Sequence, residues 1–381
     1  LAGIYIHIPF CKQACHYCNF HFSTSLRYKN ELIAALLKEI ELSPKSSAEA
    51  IETIYFGGGT PSLCSQEEID SILEKIQSQF AVSQHAEITL EANPDDITVE
   101  KLAGWKQTGI NRLSIGVQSF FEEDLRWMNR AHNAQQALDH LQLALQYFPN
   151  ITTDLIYGSP GLTDEKWKQN VDTALQLGIP HISCYALTVE PKTPLQKLIQ
   201  LQKTEDVDPD KQSAQFLLLM DWLHTAGFEH YEISNFAKPG FRSRHNSSYW
   251  KGKHYYGFGP SAHSFDGHTR WWNIANNNQY IEAIGKGTIP LEIEELTPLQ
   301  KVNEYIMISL RTMEGVDIER LKNESWGLSA ERIKDITEEL LQKSTWYISN
   351  GHLQIKNDHL ILTNEGKLLA DGIAADLFPN Q

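Results

Sequence analysis

The first half of this 381-residue chain alternates short apolar runs with amphipathic stretches, and that alternation constrains its fold more than any other feature. The runs Gly3–Ile8, Thr53–Phe56, Glu87–Glu91, Arg112–Val117, Thr152–Ile156 and His181–Leu187 read as strands covered on both faces, being mostly apolar. Between them, Leu32, Ile33, Leu36, Leu37 and Ile40 form a stripe at helical spacing. Ile69, Ile72, Leu73 and Ile76 form another, entered through a Ser65–Glu68 capping box. Thr98 and Thr163 read as N-caps, the latter followed by Asp164 and Glu165 in a first helical turn. Repeated βα crossovers require a parallel sheet. Six units before residue 190 predict an α/β protein with a partial, TIM-like (β/α)6 barrel rather than an open sheet.

Beyond Ser234 the texture changes. The stretch 236–272 is rich in Gly, aromatic residues and His, with neither period. Helical spacing returns from about Leu296, with Val302, Tyr305, Ile306, Ile308 and Ser309. The tail predicts a hairpin of Trp346–Ile348 with His352–Ile355 around Asn350-Gly351, a further strand at His359–Leu362 and a last helix. The expected organisation is a core barrel over 1–235, an extension over 236–295 and a helical, winged-helix-like domain over 296–381.

Charge and composition narrow the function classes. Lys and Arg number 33 against 48 Asp and Glu, and a net charge of −15 repels nucleic acid and anionic membranes. In the tail, Asp358, Glu365, Asp371 and Asp376 interrupt the lysines, so no dense basic face is expected there. A content of 41% hydrophobic and 21% charged residues excludes a disordered or collagen-like chain. No apolar run approaches the roughly 20 residues that span a bilayer. Leu1–Ile8 is too short, and lacks the basic leader, for a secretion signal. The expectation is a cytoplasmic monomer or homodimer with no nucleic-acid partner and no transmembrane segment, peripheral membrane contact being left open.

Five cysteines do not describe an oxidising compartment, and three crowd into Cys11, Cys15 and Cys18, directly after the first strand. Three thiolates on one tight C-x3-C-x2-C loop can bind three corners of an iron–sulfur cube and leave one iron open. A zinc site completed by His7, His16 or His21 is the alternative, although this run lacks the paired spacing of zinc knuckles. A redox dithiol needs only two cysteines. Cys64 and Cys184 read as small buried apolar residues.

The run from Tyr5 through Cys18, Tyr-Ile-His-Ile-Pro-Phe-Cys11…Cys15…Cys18, resembles the radical S-adenosylmethionine (SAM) superfamily. Within it the chain is similar, almost end to end, to the group of oxygen-independent coproporphyrinogen III oxidases and heme chaperones. The resemblance implies a 4Fe–4S cluster on Cys11, Cys15 and Cys18, its open iron chelated by the amino and carboxylate groups of SAM. In active members an electron from the cluster cleaves the sulfonium and releases a 5′-deoxyadenosyl radical. The Gly57-Gly58-Gly59-Thr60-Pro61 turn lets backbone approach a ligand closely. The resemblance gives Gly58, Gly59 and Thr60 to the methionine end. It also places Glu91, Gln118, Arg130, Asp154 and Ala186 along the cofactor site, near the carboxyl ends of successive strands, where parallel α/β folds bind ligands. A carboxylate such as Glu91 can accept from two ribose hydroxyls, and Arg130 can pair with a carboxylate. Tyr5 and Tyr17 are expected against the cluster or the adenine, with core filling as the alternative.

Two features bear on the member. Where the porphyrin oxidases carry a further cysteine, this chain has Phe20. The segment His245-Asn246-x-x-Tyr249-Trp250 resembles a heme-chaperone signature, flanked by Arg242, Arg244, Lys251 and Lys253. His245 could offer iron an axial nitrogen, with Asn246 beside it, Tyr249 and Trp250 flat apolar contact, and the cations propionate partners. His254 and His263 are second choices as ligands. The resemblance therefore implies a chaperone that binds heme, a 4Fe–4S cluster and SAM and delivers heme to an acceptor protein, with no catalytic residue assigned. Oxidative decarboxylation of coproporphyrinogen III is the alternative.

Overall fold

The computed structural model describes residues 2–43 and 46–380. Six parallel strands, β1 (Ala2–Ile8), β2 (Ser46–Gly58), β3 (Phe80–Ala92), β4 (Arg112–Gln118), β5 (Ile151–Tyr157) and β6 (His181–Ala186), lie side by side in chain order. Each is thus joined to the next by a crossover, and helices cover the sheet, as the alternation requires. Ile4, Ile6 and Ile8 of β1 are wholly buried, as are Leu32, Leu36 and Ile40 of the first helix and Ile69, Ile72 and Ile76 of the second. Ser65 and Glu68 form the expected capping box, and Thr98 and Thr163 cap their helices by accepting from the N–H groups of Lys101 and Lys166.

Residues without a readable period extend this sheet rather than forming a separate layer. On the β6 side, β7 (Glu229–Glu232) and β8 (Asn235–Ala237) add antiparallel strands. On the other side, β9 (Tyr255–Phe258) pairs parallel to β1, followed by antiparallel β10 (His263–Phe265), β11 (Thr269–Asn273) and β12 (Leu291–Glu295). Buried Glu39 of the first helix ties this region down, accepting from the Gly259 N–H at 2.8 Å, the Tyr280 hydroxyl and the Asn273 amide. The carboxyl ends of β1–β6 define an upper mouth and their amino ends a lower one.

A second apolar cluster, including Val302, Ile306, Ile336, Leu340 and Leu360, forms the C-terminal unit of helices and a small sheet. In that sheet, β15 (His359–Leu362) lies between β13 (Val316–Asp317) and β14 (Leu353–Lys356). The hairpin expected around Asn350-Gly351 is not there. Trp346–Ile348 belong instead to the helix Ala330–Ser349, whose buried stripe Ile333, Ile336, Leu340 and Ser344 continues into half-buried Tyr347, packed on the C-terminal core. Asn350-Gly351 terminates that helix, Gly351 taking φ 77° in the left-handed region. The true hairpin joins β14 to β15 through Asn357 and Asp358, both left-handed.

Candidate functional site

The upper mouth holds a cavity of about 430 Å³ lined by Cys11, Cys15 and Cys18 together with residues from β2 to β6. The three thiols are free and half-buried, and burial raises that of Cys11 to about 11 and that of Cys18 in the same direction. Cys64 and Cys184 are buried, as expected. The histidines considered for zinc have other partners. His7 bonds the His21 carbonyl and the Tyr5 hydroxyl, His16 the Trp127 carbonyl, and His21 the Asn277 side chain. Among the described residues no three His, Cys, Asp or Glu side chains are grouped to hold a single metal ion.

Most of the expected cofactor residues converge here. Gly58, at φ 106°, donates its N–H to Glu91 at 3.1 Å, and the Tyr55 hydroxyl donates to the same carboxylate at 2.8 Å. A side chain on Gly59 would put its Cβ 2.6 Å from the Phe10 carbonyl oxygen, so the close crossing of β1 and β2 requires glycine. Thr60 reaches the Cys11 sulfur at 3.6 Å. Gln118 closes β4 with φ 75°, a strained conformation for a non-glycine residue at a ligand-facing strand end. Burial pushes the Glu91 carboxyl up to about 7 despite its two donors, and that of Asp154 to about 6 against Ser183, Arg112 and Arg130.

Arg130 binds the Cys15 sulfur at 3.3 Å, Asn93 at 2.8 Å and the Gly116 carbonyl at 2.6 Å, while its buried Nε has no partner. That leaves one oriented donor for an anionic ligand oxygen. Tyr17 and Ala186 also line the cavity. Tyr5 does not: its hydroxyl bonds His7 at 3.1 Å and its ring stacks on Tyr55, so it fills the barrel interior. Asn93, Gly116 and Tyr185 line the cavity unanticipated by sequence reasoning. Asn93 had a readable signal, standing two residues after Glu91 at the same strand end.

The His245–Trp250 segment lies at the opposite mouth, on the short helix Arg244–Trp250. Ser243 caps it by accepting from the Asn246 N–H, and the Glu87 carboxylate accepts from the N–H groups of Arg244 and His245 at 3.1 and 3.0 Å. His245 and Tyr249, four residues apart on one face, both turn into the barrel. His245 is 1% exposed and stacks on Tyr55, its Nδ1 on the Thr53 hydroxyl and its Nε2 on the Tyr249 hydroxyl, each at 2.8 Å. Burial, with the nearby Arg112, lowers its pKa to about 3, so the ring is neutral. In this conformation both ring nitrogens are engaged, so an axial bond to iron would require the Thr53 or the Tyr249 hydroxyl to turn away. Trp250 faces outward onto a second cavity, its buried indole N–H without a partner. His254 bonds Glu49, and His263 stacks on Trp272.

Comparison with known proteins follows this geometry. The profile of the Radical SAM superfamily matches residues 5–189, and that of the HemN C-terminal domain matches residues 296–369. The chain is 34% identical to the heme chaperone HemW of Mycobacterium tuberculosis, over 98% of this chain and 94% of that protein. Identity to HemW of Bacillus subtilis is also 34%, covering 98% of each. Among solved structures, coproporphyrinogen III oxidase (HemN) from Escherichia coli, a radical SAM enzyme, superposes with a TM-score of 0.85. It covers 99% of this chain and 90% of that one at 22% identity, a likeness of fold. Among the described residues no helix is long and apolar enough to cross a membrane.

Proposed function

Because this chain belongs to the HemW family of the radical SAM superfamily, we propose that it is a heme chaperone that binds heme, a 4Fe–4S cluster and SAM and passes heme to an acceptor protein. The observation that carries this reading is the reach of the likeness, 98% of the chain against relatives named heme chaperones. In it, Cys11, Cys15 and Cys18 hold the cluster, and the turn Gly58-Gly59-Thr60 receives the methionine end of SAM. Arg130 turns its partnerless Nε to the ligand's carboxylate, and Glu91 accepts from the ribose hydroxyls. Gln118, Asp154, Ala186 and Tyr17 enclose the remainder. The orphaned donor on Arg130 fits such a ligand. A bound, reduced cluster supplies one electron for cleavage of the sulfonium. At the lower mouth, Trp250 is the member of the signature segment that lines the cavity, while His245 and Tyr249 hold its helix against the barrel.

The test is anaerobic reconstitution followed by parallel assays of heme uptake, 5′-deoxyadenosine release and coproporphyrinogen conversion. Heme uptake without conversion is expected. Formation of protoporphyrinogen would overturn the proposal in favour of the oxidase, from which Phe20 sets this chain apart.

A further inference from the structure

The cysteine loop has little structure of its own. Among the described residues it makes a single backbone bond within itself, from the Cys18 N–H to the Cys15 carbonyl at 3.3 Å. Its shape is therefore imposed from outside. On one side Lys12 pairs with Asp95 at 2.7 Å and with buried Asp96. On the other lies the turn 127–130 that ends the helix Glu122–Trp127, and each of its residues meets the loop. The Trp127 and Met128 carbonyls accept from the Nδ1–H and the backbone N–H of His16, at 2.8 and 3.1 Å. Gln13 Nε2 donates to the carbonyl and Oδ1 of Asn129 at 3.1 and 2.7 Å, and Asn129 Nδ2 donates to the Ala14 carbonyl at 2.7 Å. Arg130 reaches the Cys15 sulfur.

The turn is the fixed partner in this contact. Met128 is wholly buried with Ile156 and Leu187 at the upper end of the sheet, and Tyr17 of the loop packs on the same cluster. Asn129 takes φ 59°, a left-handed conformation that asparagine adopts more readily than most side chains. Its carbonyl and its side chain both face the loop. The next residue is Arg130, whose partnerless Nε is the donor assigned above to the carboxylate of SAM. The same SAM must reach the iron left open by three cysteines, so its affinity depends on how the loop and the turn are set relative to each other. We propose that Gln13 and Asn129 are positioning residues that lock the cysteine loop to Arg130, so that the cluster and the guanidinium present a single SAM site. The inference rests on the cluster and SAM part of the proposed function and adds to it the pair that aligns the two. Three iron–thiolate bonds retain the cluster without this pair, whereas a ligand spanning loop and turn does not tolerate their drift.

The experiment uses Asn129→Gly, which keeps the left-handed backbone without strain and removes only the side-chain bonds. After anaerobic reconstitution, the variant is expected to hold iron and sulfide at the wild-type content and to give the wild-type EPR signal of the reduced cluster. Its SAM affinity, read by calorimetry, falls about tenfold, and the change that SAM causes in the EPR signal is altered even at saturating SAM. Gln13→Ala behaves alike, and the double variant is no weaker than the weaker single one, because the two side chains serve one contact. Arg126→Ala, which removes an exposed ion pair with Glu122 on the same helix, keeps the wild-type affinity. Wild-type SAM affinity and EPR response in Asn129→Gly would overturn the inference, as would additive losses in the double variant. Loss of iron and sulfide from Asn129→Gly would also overturn it, since the turn would then hold the cluster rather than align it. A wild-type protein that takes up no cluster, or binds no SAM once it has one, would instead bring down the proposed function itself.

Discussion

At the upper mouth most of the polar side chains sit near the ends of successive parallel strands, so their positions follow from the strands that carry them. Arg130 reaches in from the turn after the helix Glu122–Trp127. At the lower mouth the walls come from a seven-residue helix and from a C-terminal unit that meets the barrel through a few long-range contacts. These include the Ile233 N–H on the Arg311 carbonyl at 3.0 Å and the Met313 N–H on the Tyr231 carbonyl at 3.1 Å. A strand-end site is preorganised by the sheet itself, whereas a site between units depends on how they dock. The mouths are nevertheless joined inside the barrel: Tyr55 donates to Glu91 above and stacks on His245 below.

The largest expected effect is that of Cys15→Ala. Losing one of three sulfurs should bring iron and sulfide from about four of each per chain to background, while heme uptake below persists. Loss of heme uptake as well would break the separation of the two mouths. Next is His245→Ala, which strands the Thr53 and Tyr249 hydroxyls and opens a cavity between aromatic rings. It should cost about 2–4 kcal/mol in urea unfolding. A cost below about 0.5 kcal/mol would show that the residue is not the packed plug described above.

A smaller effect is expected from pH. With its carboxyl pushed up to about 7, Glu91 is ionised above that pH and protonated below it, and only the ionised form accepts freely from two hydroxyls. Its contribution should thus weaken SAM binding by up to about tenfold on going from pH 8 to pH 6, read by calorimetry. Glu91→Gln should remove that part of the dependence; an identical profile in the variant contradicts the assignment. Smallest is Gly351→Ala, whose left-handed φ of 77° should cost about 1 kcal/mol in thermal unfolding and leave both ligand affinities alone.

The same contrast explains how far the sequence could be read. Strands and helices before residue 190 carry their period locally, and the C-x3-C-x2-C run and the glycine turn are contiguous, so the upper mouth was legible. Trp346–Ile348 misled because an aromatic and β-branched run before Asn-Gly suits a strand, whereas the deciding stripe begins at Ile333. Tyr5 was misplaced because a strand residue alternates between faces and only the packed barrel shows which face it takes. The burial of His245 was not legible because it depends on Thr53 and Tyr55, about 190 residues away in the chain.

The most direct test of the two-mouth account is equilibrium dialysis of labelled SAM against reconstituted protein, with and without one equivalent of heme. The account predicts that SAM binding is retained at one per chain in the heme-loaded protein, since the ligands occupy opposite ends of the barrel. Stoichiometric displacement of SAM by heme would contradict it.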